Sequence, residues 1–253
     1  VLIGCDDKDR SALELVKKFY EHHTSSPQEI MPVIDAELTK VQYNVFLGMK
    51  IIAANALMEV AHKIGANCDN VSRALAKADD RVVSSKYMFG GMGDGGGCHP
   101  RDQIALSWLG QTIGMSYNLY DAMVSAREEQ TRWLADLCLV TAYEKEPALP
   151  IVILGKAYKK ETNLIVGSPA ILLKNIIDER NDLTEPELFL VDVDQWDPNI
   201  DPPRTFDKPA VFLIGTNHPE FFKMDFPQGS TIIDPWGQLK DIEKCKVIRI
   251  GRA

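Results

Sequence analysis

The run Leu149–Leu154, with the sequence LPIVIL, decides the fold class. A short and predominantly apolar run of this kind is typical of a buried strand. Downstream, Ser168-Pro169 marks a helix start, because proline is favoured at the first helical position. The helix itself is expected over Ala170–Asp178. A buried strand followed by a helix predicts the first half of a β-α-β unit and therefore a parallel sheet.

The sequence after this unit continues the same pattern of short apolar segments. Four further strands are expected, at Leu188–Val193, Ala210–Ile214, Thr231–Ile233 and Val247–Ile250. Because strands and helices alternate, this part of the chain is predicted to form a Rossmann-like α/β domain.

The sequence before residue 145 has a helical texture instead. An opening strand at Val1–Ile3 and a helix at Ser11–His22 are followed by four helical patterns. These are expected over Asp35–Ile64, Asn70–Ala78, residues 100–109 and residues 116–139, from apolar spacing of three and four residues. The predicted fold class is therefore α/β, with a helical central domain followed by a parallel-sheet domain.

We divide the chain into residues 1–30, 31–145 and 146–253. The chain opens with Val1 directly inside a strand-like run, without an initiator Met. Natural domains rarely begin in mid-strand, so the first segment is interpreted as the remnant of a domain whose body lies upstream.

Composition excludes several functional classes. The 253 residues carry a formal net charge of −8, with 45% hydrophobic and 25% charged residues. Nucleic acid is not expected as the main partner, because phosphate neutralisation needs a clustered basic surface. No apolar run is long enough to span a membrane. The five cysteines contain no CxxC pair, so no disulfide framework or zinc site is expected, and a reducing, cytoplasmic compartment is predicted. Scattered histidines predict no metal site.

A glycine-rich loop precedes Cys98, and residues 90–102 read GGMGDGGGCHPRD. Glycine this dense is expected where the backbone approaches a ligand closely or adopts positive φ. Pro100 predicts the start of the next helix, so Cys98 lies at or just before a helix N-terminus. Free N–H groups there, together with the Arg101 cation, favour a thiolate, which suggests covalent catalysis. Although these glycines formally satisfy GxGxxG, no buried strand leads into them, so they are not interpreted as a dinucleotide fingerprint.

Three motifs resemble the UDP-glucose/GDP-mannose dehydrogenase family. The loop is similar to the family's GPGFGGSCFPKD, residues 36–44 (AELTKVQYN) to its AELxKxxxN, and residues 154–170 to its LGLAFKxxTDDxRxSPA. Arg101 replaces a lysine of the family motif, and Val166 stands where the family has an arginine. The resemblance extends over essentially the whole chain and implies the family's central and C-terminal domains without its N-terminal NAD-binding domain.

The resemblance also implies an activity. Family members oxidise the primary alcohol of a nucleotide sugar to a carboxylate with two NAD per turnover, through a cysteine thiohemiacetal and thioester. By position, Cys98 is the nucleophile, Lys40 stabilises the developing oxyanion, and Asn44 holds that oxygen or a water. Asp102 is expected to orient Lys40 or to assist proton transfer.

Further roles follow from the same motifs. Substrate contacts are implied for Tyr87, the backbone at Gly95, and Lys159. Arg81 resembles an arginine that reaches the neighbouring subunit's substrate. Arg101 is expected to face the cofactor, NAD. A homodimer formed through the long helix is expected, and UDP-glucose is the default substrate. The 253 residues are not expected to turn over alone, because the family's NAD site lies in the N-terminal domain.

Two other functions stay open from the sequence. The first is a sugar-nucleotide-binding or scaffold module that keeps the fold without turnover. Retention of Cys98, Lys40, Asn44 and Asp102 together favours the enzyme, because a binding module has no use for a nucleophile. The second is a cysteine hydrolase built on Cys98 and His99, which is disfavoured because adjacent side chains on a loop rarely converge on one substrate atom.

Overall fold

The computed structural model describes residues 1–6, 10–78, 89–93, 96–112, 114, 118–183 and 191–252. This part of the chain forms two compact units, Val1–Leu47 and Gly48–Ala253. The predicted division into three domains is a different partition and stays a prediction.

The first unit contains a two-stranded parallel sheet and a helix. Strands β1 (Leu2–Gly4) and β2 (Glu29–Met31) pair with Ile3 opposite Ile30. Helix α1 (Arg10–His23) lies between them in sequence. Helix α2 (Val33–Ile64) begins in this unit and ends in the second. The sequence analysis did not predict β2, because three residues are too few to show a strand pattern.

The second unit joins helices to a five-stranded parallel sheet. The helices are α3 (Cys68–Ala76), α4 (Cys98–Thr112), α5 (Leu119–Tyr143) and α6 (Pro169–Leu183). The strands are β3 (Ile151–Leu154), β4 (Val193–Trp196), β5 (Val211–Ile214), β6 (Thr231–Asp234) and β7 (Lys246–Arg249). Their spatial order is β4-β3-β5-β6-β7, with every neighbouring pair parallel. The predicted α/β fold class is confirmed.

Local sequence explains several helix starts. The side chain of Asn67 accepts a hydrogen bond from the backbone N–H of Asn70 and so caps α3. Asn118 caps α5 in the same way. Pro169 occupies the first position of α6, as predicted. These caps satisfy N–H groups that a helix leaves without an internal partner.

Several predicted boundaries were wrong. Helix α4 begins at Cys98 rather than Pro100, because proline is tolerated throughout the first helical turn, where its missing N–H costs no internal bond. Strand β4 begins where the predicted strand Leu188–Val193 ends, and residues 188–190 lie outside the described chain. Helices α5 and α6 extend to Tyr143 and Leu183, beyond the predicted ends at 139 and 178.

Both faces of the parallel sheet are covered. Successive residues of a strand point to opposite faces, and β3 shows this directly. Ile151 and Ile153 pack in a core with α5 and α6, whereas Val152 and Leu154 pack in a second core rich in phenylalanine. Burial on both faces explains why the strands read as continuous apolar runs.

None of the helices in the described ranges is both long enough and apolar enough to cross a lipid bilayer.

Candidate functional site

Cys98 is the first residue of α4 and is exposed to solvent. The turn leading into the helix is closed by a hydrogen bond from the His99 N–H to the Gly96 carbonyl, at 3.2 Å. The N-terminus of a helix presents unpaired N–H groups and a partial positive charge. Cys98 therefore lies at an accessible position beside the N–H groups that begin α4.

A cation and a carboxylate accompany Cys98 in the first turn of α4. Arg101 donates from Nε and Nη2 to Oδ1 of Asp102, at 3.0 and 2.9 Å. The Asp102 side chain is 7% exposed and the Arg101 side chain 62% exposed, so a buried carboxylate holds a solvent-facing guanidinium. The pKa of Arg101 is raised, first by its hydrogen bond to Asp102, then by that carboxylate's charge and by Cys98. The structure thus brings together three of the predicted residues, Cys98, Arg101 and Asp102.

His99 does not share the setting of Cys98. Its residue is buried, at 7% exposure, whereas Cys98 is exposed. The two adjacent side chains therefore face different environments, which argues against the cysteine hydrolase.

The glycine-rich loop is held by Asn55 of α2. The Gly91 N–H donates to Asn55 Oδ1 at 3.1 Å, and Asn55 Nδ2 donates to the Gly93 carbonyl at 3.1 Å. Asn55 is 8% exposed and sits in an otherwise apolar stretch of the helix. One buried amide therefore fixes the loop on both sides of Met92.

The density of glycine in this loop has a steric cause. A Cβ on Gly91 would lie 2.5 Å from the ring of Trp236, and one on Gly96 would lie 2.5 Å from the ring of Tyr158. Gly96 also has φ +98°, a conformation that side-chain-bearing residues rarely adopt. The loop can lie this close to the aromatic rings only without side chains at these positions.

A cavity of about 230 Å³ opens beside this loop. It is lined by Ile51, Asn55, Phe89, Gly91, Met92, Gly93, Tyr158, Lys159, Lys160, Thr216, Asn217 and Trp236. Several of these residues follow the carboxyl ends of β3, β5 and β6. In open parallel sheets, ligands bind at this edge, next to the point where the strand order reverses. That point lies between β3 and β5 here, so the cavity is the candidate substrate site.

A buried polar network fixes the loops at this edge. Asp197 accepts hydrogen bonds from the backbone N–H groups of Lys156 and Ala157, at 2.7 and 2.9 Å, and from Nε2 of His218, at 3.2 Å. Nδ1 of His218 then accepts from the Asn199 amide. Burial of Asp197 raises its pKa, but the bonds from His218, Lys156, Ala157 and Asn199 outweigh burial and hold the pKa below its ordinary value. Asp197 is therefore a charged residue that organises the edge.

The remaining predicted residues differ in what the structure says of them. Lys159 lines the cavity, with its ammonium 5.4 Å from the centre of the Tyr158 ring. Lys40 and Asn44 lie one helical turn apart on α2, within the unit Val1–Leu47. Tyr87, Arg81 and Gly95 lie outside the described residues.

Several site residues escaped the sequence analysis. They are Asn55, Asn217, Trp236, Asp197 and His218. Only Asn55 carried a usable signal, because a lone amide in an apolar helical stretch must find buried partners. The others come together only through the order of the strands.

No group of three or more His, Cys, Asp or Glu side chains in the described residues could hold a metal ion.

The fold and the site define a class of protein. In this class a helical segment carries a glycine-rich loop and a cysteine, and the loop lies at the carboxyl edge of a Rossmann-like sheet. Residues 34–128 match the central domain of the UDP-glucose/GDP-mannose dehydrogenase family. The UDP-glucose 6-dehydrogenase of Rickettsia bellii is 28% identical over 182 residues, which cover 71% of this chain and 41% of that protein. Residues 34–128 therefore resemble the central domain of the UDP-glucose/GDP-mannose dehydrogenase family, and the chain is similar to members of that family.

Solved structures show the same fold. A UDP-glucose dehydrogenase from Pyrobaculum islandicum aligns over 99% of this chain and 58% of its own, with 22% identity and a TM-score of 0.79. A UDP-D-ManNAc dehydrogenase from Pyrococcus horikoshii aligns over 96% of this chain and 58% of its own, with 25% identity and a TM-score of 0.76. The chain therefore spans less than two thirds of the length of these relatives.

Proposed function

We propose that the protein takes part in the NAD-dependent oxidation of a nucleotide sugar at C6 to the uronic acid, with Cys98 as nucleophile. The observation that carries the proposal is the position of Cys98. It is an exposed cysteine at a helix N-terminus beside the Arg101–Asp102 pair, and its loop packs along the carboxyl edge of a parallel sheet. The resemblance of the three motifs and the match of residues 34–128 to the family's central domain support this activity.

The chemistry proposed for Cys98 has three steps on its sulfur. The sulfur adds to the carbonyl carbon of the sugar aldehyde and the oxygen takes a proton, which gives a thiohemiacetal. Loss of hydride from that carbon, and of the hydroxyl proton, gives a thioester. Water then attacks the thioester carbon, the C–S bond breaks, and the acid leaves with the thiol restored. The first oxidation, from alcohol to aldehyde, precedes these steps.

The other predicted residues receive roles from the motifs. Lys40 is proposed to stabilise the oxyanion, which is the task of a fixed cation in a dry site, and Asn44 to hold that oxygen or a water. Asp102 is proposed to assist proton transfer or to orient Lys40. Because Asp102 also accepts a hydrogen bond from Arg101, it positions that second cation as well. Lys159 lines the cavity and suits an anionic diphosphate. Tyr87, Gly95 and Arg81 stay predicted substrate contacts.

Arg101 fits the predicted cofactor contact. Its guanidinium is mostly exposed, is oriented by Asp102, and lies beside Cys98, where a dinucleotide's diphosphate or carboxamide oxygens would find a donor. NAD, when bound, supplies the hydride acceptor for both oxidations.

A homodimer is proposed to form through α2. Ile34, Leu38 and Phe46 are 69%, 51% and 43% exposed. At 100° per residue they share one side of the helix, whereas Lys40 and Asn44 lie on the other. An apolar stripe of this kind is expected to be covered by a partner.

The five cysteines are free thiols, which supports the proposed cytoplasmic location.

UDP-glucose is the proposed substrate, with UDP-N-acetyl sugars and GDP-mannose as the nearest competitors. The relatives support this order, since they include UDP-glucose dehydrogenases and a UDP-D-ManNAc dehydrogenase.

The experiment is to incubate the intact protein with NAD and each nucleotide sugar, and to measure NADH and the product. We expect two NADH for each uronic acid formed from one of these sugars. Binding of a nucleotide sugar without formation of any NADH would contradict the proposal. The remaining explanation would then be the sugar-nucleotide-binding module.

A further inference from the structure

Trp236 is a rigid aromatic wall of the cavity. Its indole Nε1 donates to the carbonyl of Ile214 at 2.9 Å, and its backbone N–H donates to Oδ1 of Asp234 at 2.9 Å. The same Oδ1 accepts from the Gly237 N–H at 3.0 Å, so Asp234 shapes the turn that carries the tryptophan. Gly91 allows the loop to lie against the six-membered ring. The indole is therefore preorganised, and part of it borders the cavity.

Asn217 supplies a hydrogen-bond acceptor in the same cavity. Its Oδ1 is buried and accepts no hydrogen bond from the described residues. The neighbouring backbone is held by Thr216, whose Oγ1 donates to the Ala157 carbonyl at 2.7 Å and whose carbonyl accepts from the His218 N–H. A buried amide oxygen without a partner is costly. A ligand N–H or O–H donor in the cavity would satisfy it.

The cavity holds only part of a nucleotide sugar. Its volume of about 230 Å³ lies below the roughly 300–1,000 Å³ typical of sites that enclose a whole small molecule. Lys159 and Lys160 line it and suit a diphosphate. Among the described residues that line it, Cys98 is absent, although Gly96 touches Tyr158 at the cavity wall. The cavity therefore borders the loop that carries Cys98, and its walls offer an aromatic ring, an amide and two cations to the rest of the substrate.

Resting on the proposed function, we propose that Trp236 and Asn217 read the nucleobase of the substrate. The base stacks on the indole of Trp236, because flat aromatic rings stack favourably and every base has such a face. Asn217 Oδ1 accepts a hydrogen bond from a ring N–H of the base, such as N3–H of uracil. Lys159 and Lys160 then meet the diphosphate that joins the base end to the sugar.

The test compares binding of UDP, UDP-glucose, 3-methyluridine diphosphate and inorganic pyrophosphate by calorimetry. The unchanged protein is compared with Trp236→Leu, Trp236→Phe and Asn217→Ala. We expect Trp236→Leu to weaken UDP binding about tenfold or more, with a smaller loss in Trp236→Phe. Pyrophosphate, which has no base, should bind all four proteins equally.

Asn217→Ala separates recognition from folding. Because the oxygen it removes has no acceptor role within the described protein, the variant should keep the parent's melting temperature. We expect it to weaken UDP binding about three- to tenfold. Methylation at N3 should weaken binding to the parent but cause no further loss in Asn217→Ala.

Three outcomes decide the matter. Loss of UDP affinity with unchanged pyrophosphate affinity supports base reading. Unchanged UDP affinity in folded Asn217→Ala and Trp236→Phe, with loss confined to UDP-glucose, would place the sugar in this cavity and overturn the inference while keeping the proposed function. A parent protein that binds neither UDP nor UDP-glucose would overturn the proposed function itself.

Discussion

Asp197 joins the loops that follow three strands of the parallel sheet. It is fully buried and accepts hydrogen bonds from Lys156, Ala157 and His218. Its own backbone N–H donates to Asp201, whose carboxylate also accepts from the Lys156 ammonium. A buried carboxylate with this many donors stabilises the fold only while it is ionised.

Replacing Asp197 with Asn should lower the free energy of unfolding by about 3 kcal/mol at neutral pH. The amide would present N–H groups to donors that now face a carboxylate oxygen. The pKa of Asp197 lies below its ordinary value in the folded state. Its contribution is therefore fully present above about pH 4 and is lost as the pH falls further, because the unfolded chain takes up the proton first.

Urea unfolding at pH 7 and at lower pH measures this contribution. The difference between parent and Asp197→Asn should shrink as the pH falls below 4. Asp225→Asn is the matched control, because its exposed carboxylate pairs with Lys244 at the surface, and its loss should change stability by less than about 0.5 kcal/mol. A difference between parent and Asp197→Asn that grows in acid would contradict the ionised state.

At the scale of the element, the glycine loop and α4 position Cys98. Gly96→Ala should displace the loop, since the new Cβ would meet the Tyr158 ring at a backbone φ of +98°. We expect the rate of acid formation to fall about ten- to a hundredfold, because small misplacements of a nucleophile are costly.

Gly65→Ala is the matched control for Gly96→Ala. Gly65 also has positive φ, +74°, but a Cβ there would have no neighbour within 4 Å. It should cost only about 1–2 kcal/mol of stability from backbone strain and leave the rate unchanged. Equal rates in the two variants would show that the packing of Gly96 on Tyr158 does not position Cys98.

Apolar spacing predicted the helices and most of the sheet. It worked for α2, α5 and β3, because their apolar patterns are long or unbroken and because residues of these patterns are buried in the cores. It missed β2, whose pairing with β1 is a tertiary contact without a local pattern. It also placed the start of α4 two residues late, because Pro100 was taken as the first helical residue.

The candidate site was predictable only where its residues are close in sequence. Cys98, Arg101 and Asp102 share the first turn of α4, so their proximity follows from helix geometry. Asp197 and His218 are brought together by the strand order, which local patterns do not encode.

At the scale of the whole molecule, Arg252 ties the C-terminal segment to the rest of the second unit. Its Nε lies 2.6 Å from Oδ2 of Asp69 in α3, and its Nη1 donates to the carbonyls of Pro235 and Ile250 at 2.9 Å each. The side chain is 6% exposed. The ion pair thus links α3 to the loops that follow β6 and β7.

Arg252→Met should lower the free energy of unfolding by about 3–5 kcal/mol, because it strands a partly buried carboxylate and two carbonyls. Chemical denaturation gives the value. Arg132→Met, which removes an exposed arginine paired with Glu128 and Glu129, should cost less than about 1 kcal/mol. Similar losses in both variants would contradict the anchoring role of Arg252.

The proposed dimer makes a separate prediction. Leu38→Glu combined with Phe46→Glu places charge on the exposed apolar side of α2 and should convert a dimer to monomer in sedimentation velocity. Val140→Glu, at a still more exposed apolar position on α5, is the control and should leave the dimer intact. A double variant that sediments as the parent would move the interface elsewhere.

The most direct test of the catalytic proposal is uronic acid formation by the intact protein and by Cys98→Ala, with Cys245→Ala as the control for loss of another thiol. We predict that the parent and Cys245→Ala form the acid, and that Cys98→Ala binds the nucleotide sugar yet forms no acid, since the sulfur that carries the proposed thioester is missing. Acid formation by Cys98→Ala at the parent's rate would contradict the role of Cys98 as nucleophile.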